Sequence, residues 1–198
     1  MAAHKRRELV KKYKTIVVDP PWQYGKWGKA SDSETARNKF PNGQWSKQYD
    51  KGYDHLTVDE IKALPVGDIA DENCDLYLWV TQKYLPDAFA VIKAWWFKYC
   101  QTLTWCKAPR GTGQGGLYCP TTEFIILARR GKMPKNKIRI DTTWWQVKRT
   151  KKHSKKPEQF QDIIEMQGDE PRLEMFARRE RPGWDIWGNE AVNAVELF

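Results

Sequence analysis

No apolar stretch in the chain approaches the roughly 20 residues of a membrane span, so no spanning helix is expected. The first residues, "MAAHKRRELVKKYK", are basic but have no apolar run behind them, so no secretory signal is expected either. Cysteine is scarce: Cys74, Cys100, Cys106 and Cys119, with no C-x-x-C pair. That spacing argues against a zinc site or a disulfide framework, and predicts free thiols in a reducing cytoplasm with no bound metal. Internal repeats and low-complexity linkers are absent too. The 198 residues therefore predict one domain, 1–198, with a single core. One glycine-rich stretch, "GTGQGG" at Gly111–Gly116, lacks both the Lys-Ser/Thr of a P-loop and the spacing of a dinucleotide fingerprint, and is expected to be a flexible connection.

What the chain has in excess is positive charge and tryptophan. The formal net charge is +9, which favours an anionic partner. From Arg129 to Lys156 there are twelve Lys or Arg and one acid, Asp141. Such a run is often only a solvated face. Here it also holds "TTWW" (Thr142–Trp145), and the whole chain has 11 tryptophans. Cations interleaved with flat rings suit a polyanion with stackable bases, so nucleic acid is the expected partner.

Apolar runs bounded by turn signals predict strands at Thr15–Val18, Asp75–Val80, Gln101–Trp105, Glu123–Ala128, Arg172–Phe176 and Trp184–Ile186. Helical spacing appears in "TVDEIKAL" (Thr57–Leu64), where Thr57 and Glu60 form a capping box, in Leu85–Phe97, and in Lys156–Gln167 with Pro157 in its first turn. Strands alternating with helices predict an α/β fold whose sheet is mostly parallel, with helices on both faces. Two segments, 23–54 and 131–154, do not fit and are expected to be long functional loops.

"TIVVDPPWQYG" (Thr15–Gly25) is the sharpest motif. A short strand delivers Asp19 into a turn stiffened by Pro20 and Pro21, which have no N–H to donate. Ligands of open α/β sheets bind beyond the carboxyl ends of strands, where Asp19 sits. The Asp19 carboxylate and the Pro20 carbonyl can act as acceptors, with Trp22 as a flat plate beside them. Together they suit a planar amine. The competing reading is an acid that caps a turn, with Trp22 in the core.

"DPPW" after "IVV" resembles the signature of the MT-A70 family of adenine-N6 methyltransferases. "LYLWVT" (Leu76–Thr81), "YCQTLTWCK" (Tyr99–Lys107), "HSKKPE" (His153–Glu158) and "LEMFARRERPGWDIWGNE" (Leu173–Glu190) resemble further family segments, in the family's order. The likeness runs from about Thr15 to Glu190 and is to the compact microbial and phage members. It implies a Rossmann-like fold with permuted motif order, the catalytic strand first and the cofactor strand last. It also implies S-adenosylmethionine as cofactor and adenine N6 as methyl acceptor, in DNA rather than RNA. Asp19, Pro20, Pro21 and Trp22 would be catalytic, with Trp22 stacked on a base that has left its helix or was never paired. Lys156, Phe176, Arg178, Asn189, Glu190 and Asp19 itself would line the cofactor pocket. Glu190 can equally cap the helix that "AVNAVELF" suggests. Tyr24, Trp144, Lys151, Lys152, His153 and Ser154 would meet the nucleic acid, although a lone His such as His153 is more often structural. A homodimer or an accessory subunit is a partner the family allows, and the cytoplasm of a bacterium or phage-infected cell is the expected location.

Two departures from the family pattern stand out. Trp96 in "AWWF" takes a place where glycine is expected. No basic residue precedes Glu123 in "LYCPTTEF", which leaves that stretch without an assigned role. An RNA methyltransferase, a non-catalytic nucleic-acid-binding subunit and a small-molecule amine methyltransferase are the competing readings. The intact DPPW argues against the second and the charge of +9 against the third.

Overall fold

The structure, a computed structural model, describes residues 11–23, 55–108, 117–133, 138–149, 156–188 and 195. The "GTGQGG" stretch lies outside these residues, as does all but Gln23 of the first long loop.

Seven strands form one sheet: β1 (Tyr13–Val18), β2 (Ala70–Val80), β3 (Lys98–Ala108), β4 (Thr122–Arg130), β5 (Trp144–Lys148), β6 (Arg172–Met175) and β7 (Trp184–Trp187). Their order across the sheet is β5-β3-β4-β2-β1-β6-β7. All run parallel except β4, which is antiparallel to both β2 and β3. β1 is central, and Ile16, Val17 and Val18 are all buried. A strand covered on both faces needs apolar residues at every position, which is why this one reads as a run rather than an alternation.

Helices α1 (Val58–Ala63), α2 (Val66–Ile69) and α3 (Leu85–Ala94) cover one face through Ile61, Val66, Ile69, Val91 and Ile92. Helix α4 (Glu158–Gln167) covers the other through Phe160 and Ile164. The capping box at α1 is present: Thr57 Oγ1 accepts from the Glu60 N–H at 3.2 Å, and Glu60 accepts from the Thr57 N–H at 2.7 Å. Pro157 lies at the N-cap of α4.

Two expectations need correction. Segment 131–154 was expected to be loop, yet it contains β5, paired in register with β3. The helical pattern expected to reach Phe97 ends at Ala94, because Trp96 adopts φ +65. That left-handed conformation is the one glycine tolerates best, which accounts for the glycine expected there. Its indole packs on Gly67, where an added Cβ would stand 2.6 Å from the ring. Arg130 lies 5.8 Å from the same ring and donates to the Gly67 carbonyl at 2.6 Å. No described helix is long and apolar enough to cross a membrane.

Candidate active site

β1 and β6 are neighbours, with Val18 opposite Met175. The chain leaves β1 for β2 on one side and leaves β6 for β7 on the other. This is a topological switch point, where a crevice opens beyond the carboxyl ends of the strands. Asp19 and Phe176 are the first residues past those two ends. Phe176 takes φ +61, which turns the chain sharply off the sheet, and its ring meets Trp187 edge-on at 5.1 Å. The β6 and β7 exits are pressed together: a Cβ at Gly188 would stand 2.7 Å from the Ala177 carbonyl oxygen. Left-handed backbone at a non-glycine residue is strained and is characteristic of ligand sites.

The charges at this edge form a ladder. Lys156 Nζ lies 3.3 Å from Asp19 Oδ1 and 2.7 Å from Glu123 Oε2, while Lys107 Nζ lies 2.5 Å from Glu123 Oε1. Each member comes from a different element, respectively the approach to α4, the end of β1, the start of β4 and the end of β3. The floor is aromatic. Lys156 Nζ sits 4.8 Å over the Trp79 ring, and Phe160 packs edge-on against Trp79 and Trp145.

The two carboxylates fare differently. Burial pushes Glu123 up, but Lys156 and Lys107 together overcome this and hold it at about 2. Burial also pushes Asp19 up, and here it prevails: Lys156 and the charge of Arg178 pull the carboxyl down, while Glu123 opposes them. Burial alone would lower Lys156, but Asp19 and Glu123 raise it overall, so it keeps its proton. Behind Asp19, on β6, Glu174 is raised to about 7, chiefly by burial and partly by Asp19, against Arg179 and Arg181.

The structure brings Asp19, Pro20, Pro21, Lys156, Phe176 and Arg178 to one edge of the sheet. Trp22 is the exception. Its ring is 4% exposed, lies stacked on Tyr84 at 5.0 Å, and donates its indole N–H to the Trp79 carbonyl at 3.1 Å. It is a core ring that braces the turn rather than a plate open to the crevice. The Pro20 carbonyl accepts the Trp22 N–H at 2.8 Å, which leaves its second lone pair without a partner among the described residues. Trp144 is exposed on β5, away from the ladder. Tyr24, Lys151, Lys152, His153, Ser154, Asn189 and Glu190 lie outside the described residues.

Glu123 and Lys107 were not assigned from the sequence. A signal for Glu123 existed, because an acid flanks the apolar run "FIILA" as Asp19 flanks "IVV". The start of a parallel strand would lie at the far edge, however. Only the antiparallel course of β4, with Glu123 opposite Trp105, brings Glu123 to the site.

An open, mostly parallel α/β sheet with a charged site at its switch point defines the Rossmann-like class of ligand-binding folds. Comparison with known proteins narrows this. The family model MT-A70 matches residues 13–190, and the chain belongs to that family, whose members have a Rossmann-like methyltransferase fold. The chain is similar to the Type II methyltransferase M.MunI of Mycoplasma sp, 31% identical over 195 residues, which covers 94% of this chain and 82% of that protein. It is also similar to the N(6)-adenine-specific methyltransferase METTL4 of Homo sapiens and of Mus musculus. Identities are 28% and 27%, covering 92% of this chain but 38% of either relative.

Proposed function

We propose that this protein is a methyltransferase that moves a methyl group from S-adenosylmethionine to the N6 amine of adenine in DNA. The observation that carries this reading is Asp19, the incompletely neutralised carboxylate of a DPPW turn, held beside Lys156 where β1 and β6 diverge. Likeness to a type II methyltransferase over most of the chain favours DNA over RNA.

The cofactor suits the donor set. A methionine moiety carries both signs of charge, and this edge offers both: Lys156 and Arg178 as cations, Asp19 and Glu174 as carboxyls. Asn189 and Glu190 follow directly on Gly188 at the exit of β7 and are assigned to the ribose hydroxyls, as acids at the end of a second strand commonly are. When bound, S-adenosylmethionine supplies an electrophilic methyl group.

The rest of the chemistry belongs to the chain. The adenine amine is a poor nucleophile because its lone pair is conjugated with the ring. Asp19 and the second lone pair of the Pro20 carbonyl accept its two hydrogens and aim the nitrogen. The stacked Trp22–Tyr84 pair and two prolines fix these acceptors before substrate arrives, which is the preorganisation that lowers barriers in polar sites. As the amine is alkylated it turns acidic, and Asp19, its pKa raised by burial, is suited to take the proton. Lys156 stays charged and keeps Asp19 and Glu123 from repelling each other.

Tyr24, Trp144, Lys151, Lys152, His153 and Ser154 are assigned to the nucleic acid. Target selection is assigned to the long segments that carry them, or to a second subunit. The test is transfer of labelled methyl from S-adenosylmethionine to matched DNA and RNA oligonucleotides containing adenine. The expected result is label on N6 in DNA, abolished by Asp19→Ala. Equal transfer by wild type and Asp19→Ala, or no transfer to any adenine substrate, would refute the reading.

A further inference from the structure

The helical cover of the sheet is incomplete. Helix α3 packs over β2, β4 and the start of β3, and among the described residues no helix covers β5 and the rest of β3 on this face. Register places Tyr99, Thr102 and Thr104 of β3 on the α3 side, because they pair with Ala128, Ile126 and Phe124, two of which are buried in the core beneath that helix. Trp144 pairs with Thr104, so Trp144, Gln146 and Lys148 share this face, while Trp145 and Val147 turn to the α4 side. Trp144 is 57% exposed and Tyr99 49% exposed. Trp144, Gln146 and Lys148 are the three exposed positions of an otherwise alternating strand.

Abundance of tryptophan does not by itself explain this. Trp22, Trp79, Trp95, Trp105 and Trp184 are buried and build the core, and among the described tryptophans only Trp96 and Trp144 are exposed. The backbone that carries Trp144 and the ring of Tyr99 are both held in place. Thr142 Oγ1 accepts from the Trp144 N–H at 3.2 Å and donates to its carbonyl at 3.0 Å. Tyr99 packs edge-on against Phe89 at 5.3 Å, and its hydroxyl lies 3.1 Å from Thr102 Oγ1.

We propose that this open β3–β5 face is a stacking platform for unpaired bases flanking the target adenine, separate from the catalytic crevice. The inference rests on the nucleic-acid reading above. Exposed rings interspersed with hydroxyls, an amide and a lysine are what a single strand needs, because stacking is indifferent to sequence and the cation answers the phosphates. Lys148, exposed on the same face, supplies the cation, within a stretch of sequence rich in Lys and Arg. Placement fits as well. β5 runs parallel to β1, so Lys148 lies toward the same sheet edge as Asp19, four strand spacings or about 20 Å across the sheet, with Trp144 four residues further back; a strand leaving Asp19 on the α4 side passes over that edge to reach the α3 side. At the 3.4 Å spacing of stacked nucleotides, about six steps of a strand cover the span across the sheet, and fewer if the strand is extended.

The test uses the full chain and end-labelled single-stranded DNA, a twelve-nucleotide strand with one central adenine and a three-nucleotide strand too short to reach the platform. Fluorescence anisotropy of Trp144→Ala should show about tenfold weaker binding of the long strand, unchanged binding of the short one, and recovery with Trp144→Phe. Trp144→Ala binding the long strand as wild type does would overturn the platform while leaving the methyltransferase reading intact. So would a wild type that binds the duplex but not the single strand. Sedimentation supplies the last arm: a dimer lost in Trp144→Ala, with strand binding intact, would give this face to a second copy and overturn the proposal. If the wild type neither binds any strand nor transfers methyl, both readings fall.

Discussion

Two ion clusters sit on the α4 side of the same sheet. Midway along β2, Asp75 is 3% exposed and accepts two bonds from Arg129, at 2.5 and 3.1 Å. The geometry is bidentate, Arg129 is its one ion-pair partner among the described residues, and Arg129 is raised chiefly by that hydrogen bond. At the carboxyl edge, Asp19 shares one lysine with Glu123 and loses the competition, at 3.3 Å against 2.7 Å. The first carboxylate is satisfied by the fold. The second is partly satisfied and has a quarter of its side chain open. Burial and charge alone do not distinguish a structural acid from a reactive one. What distinguishes them is whether the protein itself supplies enough partners.

The largest expected effect falls on the shared cation. Lys156→Met leaves Glu123 with Lys107 and Asp19 with only the charge of Arg178, and methyl transfer at saturating substrate should fall about 10³-fold. A loss under tenfold would mean that the ladder is not part of the chemistry. Asp75→Asn should behave in the opposite way. It breaks a buried pair and should cost about 3 kcal/mol of stability by urea denaturation, while activity per folded molecule stays near wild type. Activity lost in step with activity in Lys156→Met would erase the contrast.

The next effect is one of pH. Folded Glu174 titrates at about 7 against an ordinary 4.5, so the folded state holds the extra proton. Its contribution is fully present below about pH 4.5 and is lost as pH rises through about 7. Glu174→Gln should therefore flatten the stability profile across that window, by about 2 kcal/mol after allowance for partial solvent access. An unchanged profile would show that Glu174 is already neutralised by Arg179 and Arg181. Smallest is Gly67→Ala, which would push on the Trp96 ring and the Trp95 carbonyl and should cost about 1 kcal/mol in thermal denaturation with no change in transfer rate.

Local signals were the ones that could be read in advance. The β1 run, the α1 capping box, Pro157 and the stiffness of the DPPW turn are all properties of neighbouring residues, and each is present. Segment by segment, the family resemblance also pointed to Asp19, Lys156 and Phe176, which the fold places at one edge of the sheet. What escaped depends on pairing between distant segments. β5 was hidden because the charge around "WWQVK" outweighs a five-residue alternation, and only β3 gives it a partner. Glu123 was hidden by the reversed course of β4. Trp22 was read as a plate because the sequence cannot say on which side of the turn its ring falls. Tyr84, sixty-two residues on, decides that.

The most direct test compares Asp19→Asn with wild type in one experiment, reading Tm and methyl transfer to adenine together. The substitution removes a buried charge that the protein does not fully neutralise, so Tm should hold or rise while transfer falls at least about 10²-fold. Transfer within threefold of wild type, or a loss of activity matched by a loss of folded protein, would contradict the account.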